Sequence, residues 1–210
     1  MNLSKVLKIV EFLLLFIVVP GILAIPIAKP IKLTSVILAL IYVCYLTYKN
    51  KVKFNFKSIF KRPTRAYLIR ILVIAVLLIV IGVVIIQFIN PQLLFSVVKQ
   101  KPFVWLAILF VYAFLSVIPQ ELIYRGFFYS RYYYLFPNKK IFSILNVVCF
   151  SWCHVFLGNI WVMVITALAG VFFVYTYEKE KSLLWTVVEH SLYGNLVFTL
   201  GLGEMLAFPA

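Results

Sequence analysis

The sequence contains no aspartate, and its acids are six glutamates against 20 lysines and arginines. Histidine is nearly absent as well, with two copies. Charged residues make up only 12% of the 210 residues. A soluble domain carries about 25% charged residues, so that class is excluded. A disordered tail is excluded too, because 65% of the chain is hydrophobic and such a chain buries apolar surface readily. Cysteine is scarce and odd in number. Cys44, Cys149 and Cys153 all lie in apolar stretches, which speaks against a disulfide framework. Cys149 and Cys153 are four apart and share a helix face, as small packing residues do. Gly-rich phosphate loops and nucleic-acid modules are missing, so a net charge of +14 does not imply a nucleic-acid partner. What the chain does have is long apolar runs and a mean hydropathy of +1.08. The basic residues then belong in loops beside anionic lipid headgroups.

A helix needs about 20 apolar residues to cross the hydrocarbon core. The first run, Phe12 to Ala28, holds Pro20, Gly21 and Pro26, so a kinked or broken helix is expected. A cleaved signal peptide competes for Met1 to Ala28, but Glu11 and the long apolar core favour a retained helix. The second run is Leu33 to Tyr48, and the third is Ile71 to Ile89, ending at Asn90-Pro91. The fourth starts at Phe103, meets Gln120-Glu121 and continues as a polar-aromatic helix to about Tyr134. The fifth is Ile141 to Leu157 and the sixth Ile160 to Tyr177, with a turn at Gly158-Asn159. Glu178 to Lys181 reads as a solvated loop. The seventh runs from Ser182 to about Leu200.

The expected fold is therefore all-α: a polytopic helical membrane protein with seven to eight transmembrane helices. The eighth would be a re-entrant piece at Leu93 to Val98. Residues 1–210 form one membrane domain, and 103–203 carry the motifs. Lys5, Lys8, the seven basic residues of the Lys49 to Arg65 loop, Arg131, Lys139, Lys140, Lys179 and Lys181 fall on one side. Only Lys29, Lys32, Lys99 and Lys101 fall on the other. This asymmetry puts the N-terminus inside, in an integral protein whose expected home is the bacterial plasma membrane.

An ionisable side chain in a span costs on the order of 3 kcal/mol by insertion scales and persists with a partner or a function. Glu121 and Arg125 are spaced i, i+4 and can pair on one helix face; a structural ion pair is the plain alternative. Both histidines lie in apolar spans, His154 after Phe150 and His190 after Glu189. Gly194, one turn beyond His190, would let another helix approach closely. Asn195 lies about 140° around the helix from His190. Glu11 is expected to snorkel to the interface or pair with Lys8. Glu121, two imidazoles, an amide and an Arg suit water activation with oxyanion stabilisation. The trio Glu121, His154 and His190 equally suits a divalent metal such as zinc. It also suits a proton relay in a transporter, though no paired hydropathy symmetry supports that class.

The three clusters, in this order, resemble the CPBP family of CAAX prenyl proteases, bacteriocin-processing and self-immunity (Abi) proteins. The family pattern E-E-x-x-x-R is matched by Gln120-Glu121-x-x-x-Arg125. F-x-x-x-H is matched by Phe150-x-x-x-His154, and H-x-x-x-N by His190 with Asn195. The likeness covers roughly Pro119 to Gly203, including His190-x-x-Tyr193-Gly194 and the tail from Phe198 to Glu204. The resemblance implies an intramembrane endopeptidase acting on a hydrophobic or C-terminal peptide or a membrane-protein substrate. It implies that Glu121 with His154 activates a water, and that His190 and Asn195 stabilise the oxyanion. No cofactor is required by the metal-free glutamate mechanism, although the family is also described as metalloproteases. Two departures stand out. Gln120 replaces the first glutamate, and an amide cannot act as a general base; here it would orient the water or the scissile carbonyl. Asn195 comes one residue late, a shift that only a helical bulge would correct. If Arg125 binds Glu121 tightly, it makes a poorer base. A catalytically impaired member, acting as a bacteriocin immunity factor or scaffold, is therefore the competing reading.

Overall fold

The computed structural model describes residues 3–26, 29–49 and 61–205. Every regular element among them is helical. Seven long helices run in order: α1 Leu3–Ala24, α2 Lys29–Lys49, α3 Arg65–Ile89, α4 Pro102–Leu135, α5 Lys139–Leu157, α6 Ile160–Glu180 and α7 Leu183–Leu200. Each expected span has its helix. By length and composition, α1, α3, α4, α5 and α6 are long and apolar enough to cross a membrane. The apolar part of α2, Ile37–Lys49, is shorter. In α7, Glu189, His190 and Asn195 dilute the apolar character of an 18-residue helix. The piece near Leu93 to Val98 forms two short helical turns, Pro91–Leu93 and Ser96–Gln100. Most of the Lys49 to Arg65 loop, including Lys51, Lys53 and Lys57, lies outside the described residues.

The helix ends obey local chemistry. Thr64 caps α3 by accepting from the Tyr67 N–H at 3.1 Å, and Asn90-Pro91 ends it because proline cannot continue the backbone ladder. Asn138 caps α5, accepting from Lys140 N–H at 2.9 Å and Ile141 N–H at 3.3 Å. Gly201 ends α7 at φ +96°, where a Cβ would lie 1.9 Å from the Leu93 carbonyl oxygen, so only glycine fits.

Proline inside α1 and α4 produces wide turns instead of breaks. A π-helical turn, Leu14–Val18, precedes Pro20. Another, Tyr112–Val117, precedes Pro119. In each case the wide turn spares the proline ring a clash with the preceding turn. α4 has a further π turn at Leu122–Phe127.

The chain forms two compact units. Met1–Phe54 and Ile123–Val174 make one. Its core is aromatic: the Phe16 ring meets Tyr124, Phe128 and Tyr132 edge-on at 5.4, 4.9 and 5.9 Å. The Trp152 indole donates to the Ile17 carbonyl at 2.9 Å, within the first π turn. Glu11 does not pair with Lys8 or snorkel. It binds Arg131 Nε at 2.8 Å and Nη2 at 2.9 Å, and accepts from Tyr132 at 2.8 Å and Tyr42 at 3.2 Å. Four hydrogen bonds make burial cheaper than stretching to the interface.

Asn55–Leu122 and Tyr175–Ala210 make the second unit, with α7 against α3 and the first part of α4. Here Glu180 corrects the expectation of a solvated loop at Glu178 to Lys181. α6 runs through Glu180, which is 4% exposed. Its carboxylate accepts from Thr64 N–H at 3.1 Å and Thr64 O–H at 2.6 Å. An acid is thereby held at the N-terminus of α3, where the helix dipole favours it.

Candidate functional site

The residues singled out from the sequence fall in both units. Gln120, Glu121, His190 and Asn195 belong to the second, Arg125 and His154 to the first. Each group is coherent on its own terms.

In the second unit, Glu121 projects from the short α-helical stretch Ile118–Glu121 between two π turns of α4. It is fully buried and meets His190, itself 5% exposed. The His190 Nδ1 to Glu121 Oε1 distance is 2.7 Å. A carboxylate accepts, so Nδ1 carries the hydrogen and Nε2 holds the lone pair in the neutral ring. The Tyr112 ring stands edge-on to the imidazole at 6.0 Å and to Phe198 at 5.1 Å. Gly194 makes this possible. A Cβ there would lie 2.2 Å from the Tyr112 hydroxyl oxygen. The expected close approach at Gly194 is thus a tyrosine ring.

Gln120 donates from Nε2 to Ser116 Oγ at 2.8 Å. Its Oε1 is buried without a hydrogen-bond partner among the described residues, and so is Asn195 Oδ1. No bulge interrupts α7 between His190 and Asn195. The late asparagine therefore stays about 140° from His190 around the helix.

Glu189, next to His190, serves a different neighbour. It is fully buried and binds Arg70 Nη1 at 2.8 Å. It also accepts from Tyr193 O–H at 2.9 Å and from Thr176 O–H. The Thr176 hydroxyl in turn contacts Arg70. Sequence reasoning misses Arg70; its one signal is a lone arginine at the start of an otherwise uncharged run.

In the first unit, His154 is 9% exposed and its Nδ1 lies 2.9 Å from the Phe150 carbonyl oxygen. A carbonyl only accepts, so Nδ1 carries the hydrogen and Nε2 is the basic nitrogen. Cys153 Sγ lies 3.3 Å from the same Nδ1. Arg125 is fully buried, with its guanidinium over the Phe150 and Phe173 rings at 4.4 and 5.6 Å, a cation–π arrangement.

Both histidines are thus held by Nδ1 and present Nε2 as the basic atom. A buried carboxylate fixed to one of them is a base whose orientation is set in advance. Residues 102–196 match the family model described as Type II CAAX prenyl endopeptidase Rce1-like. The Rce1-like segment starts with α4 and ends just past Asn195, so it spans every residue of both groups. The family is one of endopeptidases, and the apolar helices make this chain an integral membrane protein. The chain matches no curated protein and no solved structure. Among the described residues, no group of three or more His, Cys, Asp or Glu could hold a metal ion.

Proposed function

We propose that the chain is an intramembrane endopeptidase that cuts a hydrophobic or C-terminal peptide with an activated water. The observation that carries this reading is the buried Glu121–His190 pair inside the Rce1-like segment. Glu121 is the general base. With Gln120 unable to take a proton, Glu121 is the acid of the motif that can. His190 fixes the carboxylate and, once protonated, donates from Nε2 to the oxyanion. On the family resemblance, His154 is the partner base, with Nε2 as its basic nitrogen. Arg125 supplies fixed positive charge, and Asn195 is an amide donor close in sequence. The reading takes α2 and α7 as spans beside the five, giving seven, with the N-terminus inside.

The specific observation for a second reading is Gln120, which replaces the first motif glutamate. On that reading the chain is a catalytically impaired relative that acts as an immunity factor or scaffold. Purified protein offered prenylated and transmembrane peptides separates the two. Cleavage that falls at least about 100-fold in both Glu121→Gln and His154→Ala supports the peptidase, the scale of loss expected for acid–base groups. Cleavage indifferent to both substitutions overturns the mechanism. An inert wild type supports the scaffold.

A further inference from the structure

We propose that the Tyr112 hydroxyl is an oxyanion donor of this site, standing in the place that Gly194 leaves open. The inference rests on the peptidase reading above. His190, Gly194 and Phe198 recur at four-residue steps and form one stripe along α7. Tyr112 lies along that stripe, edge-on to His190 at 6.0 Å and to Phe198 at 5.1 Å. Between them, a Cβ on residue 194 would lie 2.2 Å from the Tyr112 hydroxyl oxygen. The hydroxyl thus occupies the volume in which any larger side chain at 194 would begin. The position beside His190 on its own face has no side chain of its own, and a phenol from α4 fills it.

The Tyr112 side chain is only partly buried, and its phenolic O–H is a donor. Such a donor, beside the Glu121–His190 pair, is suited to an oxygen that arrives with the substrate. Asn195, about 140° away from His190 on a regular helix, points off the stripe. In the step itself, the water oxygen bonds to the scissile carbonyl carbon while Glu121 takes the water proton. The carbonyl π pair moves onto oxygen, and Tyr112 donates a hydrogen bond to it without giving up its own proton. Collapse re-forms the carbonyl and breaks the C–N bond, and the amine leaves with a proton returned from the base.

The test compares wild type, Tyr112→Phe, Tyr112→Ala and the double variant Tyr112→Ala/Gly194→Asn on prenylated and transmembrane peptides in micelles. Removing one oxyanion donor costs about 100-fold or more in kcat. Tyr112→Phe is expected to lose about that much, with KM within about twofold and the thermal midpoint unchanged. Tyr112→Ala/Gly194→Asn puts an amide where the phenol stood and is expected to recover at least about 10-fold over Tyr112→Ala, a part of one donor's worth. Tyr112→Phe at the wild-type rate overturns the inference and leaves the peptidase reading standing. A kcat loss that only tracks a lowered thermal midpoint shows a packing role and overturns it too. A wild type that cleaves nothing overturns both readings.

Discussion

Glu189 and His190 are consecutive, yet about 100° of helix separates their side chains, and they do different work. His190 turns to Glu121, whereas Glu189 turns to Arg70, Thr176 and Tyr193. The Arg70–Glu189 pair joins α3 to α7 with the carboxylate fully buried and the arginine 21% exposed. Removing one partner of such a pair leaves a buried charge uncompensated, at a cost of about 3–5 kcal/mol. Arg70→Ala is therefore expected to lower the thermal midpoint in detergent sharply. Replacing both residues by apolar ones, Arg70→Met/Glu189→Leu, is expected to restore much of it, because a packed apolar pair is often as stable as a buried ion pair. A wild-type midpoint in Arg70→Ala would show that the pair does not hold the helices. This partnership is not legible in the sequence, since 119 residues separate the two groups. Glu121 and His190 are legible as chemistry-bearing, because an ionisable group in an apolar run demands an explanation. Tyr112 is not, because a tyrosine in such a run looks the same whether it packs or donates.

Proline marks the helices more sharply than hydropathy does. Pro20 and Pro119 are visible as kink positions, but the sequence does not say whether a helix breaks or widens there. It widens in both, and in α4 the wide turn sits between Tyr112 and Glu121. A π turn holds one extra residue, so it rotates the downstream residues by about 100° relative to a regular helix. That rotation lets Glu121 and Tyr112 both meet α7 at His190. Pro119→Ala returns the missing N–H and removes the ring, which frees the turn to tighten. The expected outcome is a thermal midpoint equal to wild type or higher, with peptide cleavage down at least about 10-fold because the catalytic geometry tolerates little misplacement. Unchanged cleavage would show that the turn has no part in positioning the site. At this scale the sequence reads well for the five helices long and apolar enough to cross a membrane, since apolar runs report length directly. It reads poorly at the end of α6. The alternating Glu-Lys-Glu-Lys pattern looks solvated until Glu180 is seen holding Thr64.

Across the whole molecule, the lysines and arginines decide which face of the bilayer each turn meets. Short loops keep their basic residues on the cytoplasmic side, because translocating them is costly. The turn between α4 and α5 carries Lys139 and Lys140 at its edge, and Lys181 comes directly after α6. The turn at Gly158-Asn159, between α5 and α6, has no charge. On the proposed orientation, with the N-terminus inside, the first two turns are expected to face the cytoplasm and the third to face outward. Single cysteines placed at Asn138, Asn159 and Lys181, in a chain whose Cys44, Cys149 and Cys153 are changed to Ser or Ala, report this with a thiol reagent that cannot cross membranes. In sealed cells, label is expected at 159 alone; after permeabilisation, at all three. The same experiment tests α7 as a span. A cysteine at the Gly201 end would disturb the turn that only glycine fits, so Leu202 is the better site. With α7 crossing, a cysteine at 202 labels from outside while the one at 181 labels from inside. If 181 and 202 label from the same face, α7 is re-entrant, and the Glu121–His190 pair is then carried by a helix that enters the bilayer from one side only.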